Sequence, residues 1–457
     1  MQVNSQRIVI VGFGSIGQAL MALLREHFRG WQVHVLEADV DQDKRALCAA
    51  HGAALQPVRV TEDNYRALLK PLLCEGAFLL NLATSACTRD LIRLAQSLGA
   101  FYLDTCIDPW VYEAGDNGIS TSNYALREEV LGLRERSPGG RTAIVAHGAN
   151  PGFVSVLLKQ GLEEMARANG LRGKAPQARE DWAALARALD VRVIQVSERD
   201  TQVGLKPRAD GEFVCTWSVD GLVTECLQPA ELGWGTHEPR LPAAARQYGF
   251  GSGAGISIQR PSYTVRVKSW SPNALDFDAY LITHNEALSI ADYLTVSEAG
   301  EVRYRPTTYY AYRPCDEAVD SFALLAGGTA RAIRRKRVLR DEIASGIDEL
   351  GIFLISAAYP SYWIGSNLSI GKARKMAAHN NATSLQVVSS LVAGMKWALE
   401  HPQAGIVESE QLDHRFVYEF VEPYWAPIVR QSLAWKPVPG ASGLAFDDFL
   451  VEGRDGS

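Results

Sequence analysis

The tightest constraint on how this chain folds lies close to its start. An apolar run, Ile8-Val9-Ile10-Val11, leads into Gly12-Phe13-Gly14-Ser15-Ile16-Gly17, and Gln18 to His27 follows, rich in Ala, Leu and Met. An apolar run of that length bounded by glycine reads as a fully buried strand. A Gly-x-Gly-x-x-Gly set between a strand and a helix is a dinucleotide-binding turn. The first glycine permits the tight turn, the second lets the backbone approach a pyrophosphate, and the third lets helix and strand pack closely. Ser15 and Ile16 stand at the helix start, whose N–H groups have no partner within the helix and so face the phosphate charge. About 20 residues past the last glycine, the strand through Val33, Val35 and Leu36 ends at Glu37, where an acid for the ribose hydroxyls is expected. With no Arg beside it, Glu37 favours NAD over NADP, and Lys44 and Arg45 pull the other way.

The strand–helix alternation continues. It predicts a short strand after Gly52-Ala53-Ala54-Leu55 and a helix from Thr61, as N-cap, to Leu73. Further along it predicts strands at Phe78–Leu82, Phe101–Asp104 and Thr142–Val145, and a helix over Asp90–Leu98. Such an order implies a Rossmann-type doubly wound parallel sheet with right-handed crossovers. Ligands then bind beyond the carboxyl ends of the strands. Asn81, Thr84, Ser85, Asp104, Thr105 and Asp108 follow strand ends and belong there, although each alone is ordinary turn chemistry.

At Gly148-Ala149-Asn150-Pro151-Gly152 the pattern breaks, and Phe153 to Asn169 reads as an amphipathic helix. Beyond Val191 the texture is period-two: Val191–Ser197, Phe213–Val219 and Tyr263–Val267 read as strands of a sheet with one open or substrate-facing side. The expected division is 1–150 for a nucleotide domain, 151–380 for an α+β substrate and dimerisation domain, and 381–457 for a helical segment packing back on the first. Ala382 to Leu399 is its long apolar helix. The glycine-rich Gly249–Gly255 lacks the frame of a phosphate loop.

A length of 457 residues makes two domains the default. The net charge of −6 argues against a nucleic-acid surface, and the basic run Arg331–Arg340 reads as a solvated helix face. Seven cysteines without a Cys-x-x-Cys pair point to free thiols in a reducing compartment. Nothing at the N-terminus reads as a signal peptide, and no apolar stretch reaches the length of a membrane helix, so a cytoplasmic location is expected.

Chemistry concentrates in the second half: Glu198-Arg199-Asp200-Thr201-Gln202, Trp217, Glu225, Glu231 to Glu238, and Thr283-His284-Asn285-Glu286. Carboxylates beside indole rings suit a cationic amine, whereas a carboxylic substrate asks for Arg or Lys forks, for which Arg199 and Lys206 are at hand. On pattern alone Trp217 also reads as core in a strand, His284 as a buried hydrogen-bonded histidine, and Glu198 with Arg199 as a surface ion pair. His284 has no neighbour at metal-ligand spacing, and no metal is expected.

These stretches resemble bacterial homospermidine synthase. The resemblance runs through the glycine turn, Gly148–Gly152, Glu198–Gln202, Thr216-Trp217-Ser218-Val219, Leu227 to Glu238, Thr283–Ala287 and Gly346–Gly351. More distantly, the chain is similar to saccharopine dehydrogenase and carboxynorspermidine dehydrogenase. The resemblance implies a homodimer that joins two putrescines, or putrescine and spermidine, with NAD as a retained prosthetic group. It implies that Trp217 holds the substrate cation, backed by Glu198 and Glu225, with Asn150, His284 and Glu286 at other active-centre positions. Two departures fall on the substrate-binding side. Ser85 stands where the family has Asp, and Asp108-Pro109-Trp110 replaces Glu-Pro-Trp. The alternatives to this reading are a reductive coupling of an amine to an aldehyde or keto acid, and a catalytically silent NAD-binding sensor.

Overall fold

The computed structural model describes residues 6–112, 120–136, 138–171, 173–440 and 443–451. The backbone forms two compact units. One comprises Met1–Phe153, Thr216–Asp220 and Gly371–Tyr424, the other Val154–Cys215, Gly221–Ile370 and Trp425–Ser457.

The first unit is built on a seven-stranded sheet in the order Ile406–Glu408, Ala143–Val145, Phe101–Asp104, Phe78–Asn81, Arg7–Val11, Gln32–Glu37, Ala54–Pro57. Every neighbouring pair is parallel. The order reverses between Arg7–Val11 and Phe78–Asn81, which makes the crevice beyond their carboxyl ends the ligand position of a doubly wound sheet. Ile8, Val9, Ile10, Leu79 and Leu80 are wholly buried, as strands covered by helices on both faces must be. Helix Ser15–His27 buries Ala19, Leu20, Leu23 and Leu24, and helix Ala382–Glu400 packs along it. That second helix starts in a capping box. Asn381 Oδ1 accepts from Ser384 N–H at 2.7 Å, and Ser384 Oγ accepts from Asn381 N–H at 2.9 Å. Strand Ile406–Glu408 is tied in by a buried ion pair, Arg127 donating to Glu408 at 2.6 and 2.9 Å.

The second unit is a mixed sheet in the order Ala245–Gln247, Gly255–Pro261, Pro229–Gly233, Thr307–Arg313, Val191–Asp200, Ile347–Ser356, Ser361–Ser369, Ile428–Leu433, with the hairpin Arg266–Ser271/Leu275–Ile282 joined to Thr307–Arg313. Val191–Asp200 is central, parallel to Thr307–Arg313 and antiparallel to Ile347–Ser356. One of its faces, with Val193, Tyr309 and Phe353, packs into an apolar layer that includes Trp270, Trp435, Phe446 and Phe449. The other face carries Glu198, Asp200, Tyr310 and Tyr312. These are also buried, so neither face is open to solvent, and of the two alternatives the alternation leaves, a substrate-facing side is the one compatible with that burial.

Local differences from the sequence reading have local causes. The helix expected over Thr61–Leu73 is only Tyr65–Leu69. Asn64 Oδ1 takes Thr61 N–H at 2.8 Å in a turn, and Pro71 ends the run. Strand Phe213–Val219 stops early, as Glu212–Cys215, and Trp217 lies in a bend before helix Val219–Leu227. Ser262–Thr264 is a tight turn, closed by Thr264 Oγ1 donating to the Pro261 carbonyl at 2.7 Å, and the strand begins at Arg266. The basic run is no helix. Arg335–Val338 pairs in parallel with Glu212–Cys215, and Arg337 bridges Glu212 at 3.1 Å and Glu342 at 3.3 Å. Strand Ile428–Leu433 belongs to the second sheet rather than packing on the first.

Candidate functional site

In the first unit the glycine turn has the geometry its sequence predicts. Gly12 sits at φ +90°, and a Cβ there would lie 2.7 Å from Ala83 N and 2.8 Å from the Leu82 carbonyl oxygen. A Cβ on Gly17 would lie 2.8 Å from the Gly12 carbonyl oxygen. Gly14 differs, because among the described residues no atom beyond its own chain neighbours stands within 4 Å of where its Cβ would be. The space beside that glycine is open, as close approach of a pyrophosphate to the backbone needs. The residues thus fit a pyrophosphate, with Ser15 and Ile16 opening the helix above it. Glu37 Oε2 accepts from Phe13 N–H at 2.5 Å, fixing the turn, while Oε1 accepts from Asp39 N–H at 2.9 Å and Lys44 Nζ at 3.1 Å. Lys44 is therefore engaged by the acid and is no free phosphate clamp.

The other candidates in this unit lie at strand ends. Thr84 and Ser85 are exposed in the turn after Phe78–Asn81. Asp108 is buried, accepts from the Tyr112 hydroxyl, and lines a cavity of about 300 Å³ with Cys87, Arg89 and Trp110. Asp104 accepts from Ala146 N–H and Tyr102 at 2.7 Å and Thr88 at 2.8 Å; burial nevertheless pushes its carboxyl up to about 7. The Gly148–Gly152 turn, carrying Asn150, hangs from the Asp104 strand end through His147 N–H to the Asp104 carbonyl at 2.9 Å. Trp217 is half-buried, and Asn381 Nδ2 holds the Thr216 carbonyl beside it at 2.6 Å.

In the second unit the structure brings Glu225, His284 and Glu286 together. Helix Asn285–Tyr293 places His284 at its N-cap and Glu286 in its first turn. The run Leu227–Glu238 docks that helix. A Cβ on Gly233 would lie 2.5 Å from the Ala287 carbonyl oxygen, so only glycine allows the approach. Glu231 N–H donates to Thr283 Oγ1 at 3.2 Å, and Tyr248 holds the Glu231 carboxylate at 2.6 Å. On the docked helix, His284 Nδ1 lies 2.6 Å from Glu286 Oε2 and Nε2 lies 3.5 Å from Glu225 Oε1. Burial works against a charged imidazole, but the two carboxylates outweigh it and raise His284 well above its ordinary value. The two carboxylates thus favour the imidazolium form. Burial and the charge of Glu286 push the Glu225 carboxyl up, against the pull of His284. Glu225 Oε2 and Glu286 Oε1 are buried and have no hydrogen-bond partner among the described residues.

Glu198 reaches this group through a residue the sequence does not single out. Tyr310 donates to Glu198 Oε2 at 2.6 Å, and its ring lies 4.7 Å from that of His284. Arg199 turns away to the Pro314 carbonyl and Asp316, so the surface ion pair with Glu198 is absent. Alternate tyrosines in a strand read as core, which hides Tyr310; its register opposite Val196, two residues before Glu198 on the same sheet face, is what brings its hydroxyl to that carboxylate.

Comparison with known proteins decides the family. Residues 8–144 match the model "Saccharopine dehydrogenase NADP binding domain", and residues 148–433 match "Saccharopine dehydrogenase C-terminal domain". The homospermidine synthase of Blastochloris viridis is 45% identical over 448 residues, covering 96% of this chain and 94% of that protein. The enzyme of Mesorhizobium japonicum is 41% identical over 451 residues, covering 96% and 93%. The chain belongs to the homospermidine synthase family.

The crystal structure of the Legionella pneumophila homospermidine synthase in complex with NAD matches with a TM-score of 0.91 and 38% identity, over 98% of both chains. Apo saccharopine dehydrogenase (L-Glu forming) from Saccharomyces cerevisiae, at 11% identity and a TM-score of 0.52, shares the fold alone, over 94% of this chain and all of that one. For a homospermidine synthase family member, the expected two-part α/β architecture is what the sheets display. No described helix is long and apolar enough to cross a membrane.

Proposed function

We propose that this chain catalyses homospermidine synthesis. It joins two putrescines with release of ammonia, or transfers the aminobutyl group of spermidine to putrescine with release of 1,3-diaminopropane, without net redox change. The observation that carries this reading is the Glu225–His284–Glu286 cluster. Two carboxylates against one histidine make the cluster buried and acidic, and two of the carboxylate oxygens have no donor among the described residues. A primary ammonium supplies both the charge and the N–H groups that such a site needs.

The glycine turn and Glu37 would hold NAD, and the charge of Glu37 disfavours a 2′-phosphate. When bound, NAD supplies a hydride acceptor for the carbon bearing the reacting amine and later returns that hydride. The chain's own residues manage the protons. Glu225 Oε2 is the base. Burial raises its affinity for a proton and lowers that of a desolvated ammonium, bringing the two within reach. His284, whose charged form the two carboxylates favour, is the acid that protonates departing ammonia, held in orientation by Glu286. Trp217 offers its ring to the cation, and Asn150 completes the set that the family resemblance implies. Excluding water prevents loss of the imine as an aminoaldehyde. Ser85 and Asp108, the latter already accepting from Tyr112, loosen the hold on a distal ammonium and shift preference among diamines and triamines. We also infer a homodimer, from the family, and a cytoplasmic location, supported by seven free cysteines.

The test is incubation with putrescine and NAD far below substrate concentration. Homospermidine and ammonia should accumulate well beyond the NAD supplied. NADH formed one for one, with no polyamine, overturns the proposal.

A further inference from the structure

Tyr310 belongs to strand Thr307–Arg313, whereas the groups it touches stand on two other elements. Its hydroxyl donates to Glu198 Oε2 at 2.6 Å on strand Val191–Asp200, and its ring lies 4.7 Å from the imidazole of His284, tilted by 46°. Behind it Tyr312 stacks at 5.1 Å and 13°, which fixes the Tyr310 ring plane. A hydroxyl donor orients a carboxylate and brings no positive charge of its own. The charged and titratable groups around this joint include Asp200 and Tyr312 on the same sheet face, Asp348 paired across from Asp200, Cys315 near Tyr312, and His284 with Glu225 and Glu286 beyond the ring.

We propose that Tyr310 is a positioning residue for the amine substrate, its hydroxyl aiming Glu198 and its ring backing His284 so that anionic positions from separate elements keep one geometry. This rests on the functional reading above. Tyr310 touches no reacting atom and acts through Glu198.

The variant is Tyr310→Phe in the full chain loaded with NAD, which keeps the ring and deletes one oxygen. Loss of one hydrogen bond to a charged group should raise KM for putrescine about tenfold and leave kcat within about threefold. The acid limb of kcat/KM should move to higher pH, because a carboxylate that loses a donor takes up a proton more readily. A purely structural role would reduce the active fraction and move neither KM nor the limb. Glu198→Gln, alone and combined with Tyr310→Phe, gives the cycle. If Tyr310 acts through Glu198, the double variant is no worse than Glu198→Gln, and multiplying losses overturn the proposal. Calorimetric titration of putrescine into the same proteins reads the loss without turnover. A wild type that binds putrescine yet makes no homospermidine overturns the functional reading alone; equal putrescine affinity in wild type and Tyr310→Phe overturns this one.

Discussion

Glu286→Gln exposes the electrostatics of the site to measurement. The substitution keeps shape and an acceptor oxygen for His284 Nδ1 but removes the charge 2.6 Å away. The Glu286 side chain is 1% exposed and that of His284 8%, so solvent screens little of the interaction. A hydrogen bond to a charged group is worth ~1.5–3 kcal/mol. Its loss should cost stability of that order while His284 is protonated, and His284 should titrate lower in the variant than in the wild type. The sign follows from linkage. His284 is raised in the folded state, so the stability its proton contributes is fully present below the unfolded value near 6.5 and fades as pH rises through the folded value. The melting-temperature gap between wild type and variant should be widest at about pH 5.5–6.5 and narrow toward alkaline pH. In the rate profile the alkaline limb of kcat should move down, since the acid for departing ammonia is lost earlier. An unchanged alkaline limb, with a stability gap that does not depend on pH, would refute the assignment of His284 as a carboxylate-held imidazolium.

Other perturbations separate binding from folding. Gly14→Ala meets no described atom beyond its own chain neighbours and should cost under about 1 kcal/mol in denaturant unfolding, yet weaken NAD at least about tenfold by calorimetry; full NAD affinity would remove the ligand explanation for that glycine. Gly12→Ala, strained at φ +90° and crowded by Ala83, should destabilise the fold itself by more than ~1 kcal/mol. Arg127→Met strands the buried Glu408 carboxylate and should cost ~3–5 kcal/mol, much of it recovered in Arg127→Met/Glu408→Leu; equal losses in the single and double variants would contradict an ion-pair origin. Trp217→Ala should reduce turnover at least about thirtyfold, the worth of a desolvated cation–π contact of ~2 kcal/mol, with NAD still bound; undiminished turnover would assign Trp217 to packing.

What was legible in the sequence was what local chemistry dictates. Gly12 and Gly17 report backbone geometry at their own positions, and Glu37 follows at the spacing that a strand–helix–strand unit imposes. The alternation of apolar runs and amphipathic stretches suffices for a parallel sheet. Pairing between distant segments leaves no such mark. Ile406–Glu408 is too short to announce itself, and its place beside Ala143–Val145 rests on the Arg127–Glu408 pair far away in the chain. Arg335–Val338 becomes a strand only because Glu212–Cys215 offers it an edge. Trp217 shows the limit of periodicity, since Phe213–Val219 alternates throughout and the chain nevertheless leaves the strand after Cys215. For the site, Glu225, His284 and Glu286 could be chosen from residue type and from the family resemblance. Tyr310 could not, because its role comes from the register between two strands.

In the proposed reaction the hydride removed from one diamine returns to the product on the same enzyme molecule. Putrescine fully deuterated at the carbons bearing nitrogen, incubated with the enzyme and unlabelled NADH in the medium, tests it by mass spectrometry of the product. Homospermidine should keep every deuterium. Homospermidine that has exchanged one deuterium for hydrogen from the medium's NADH would contradict it.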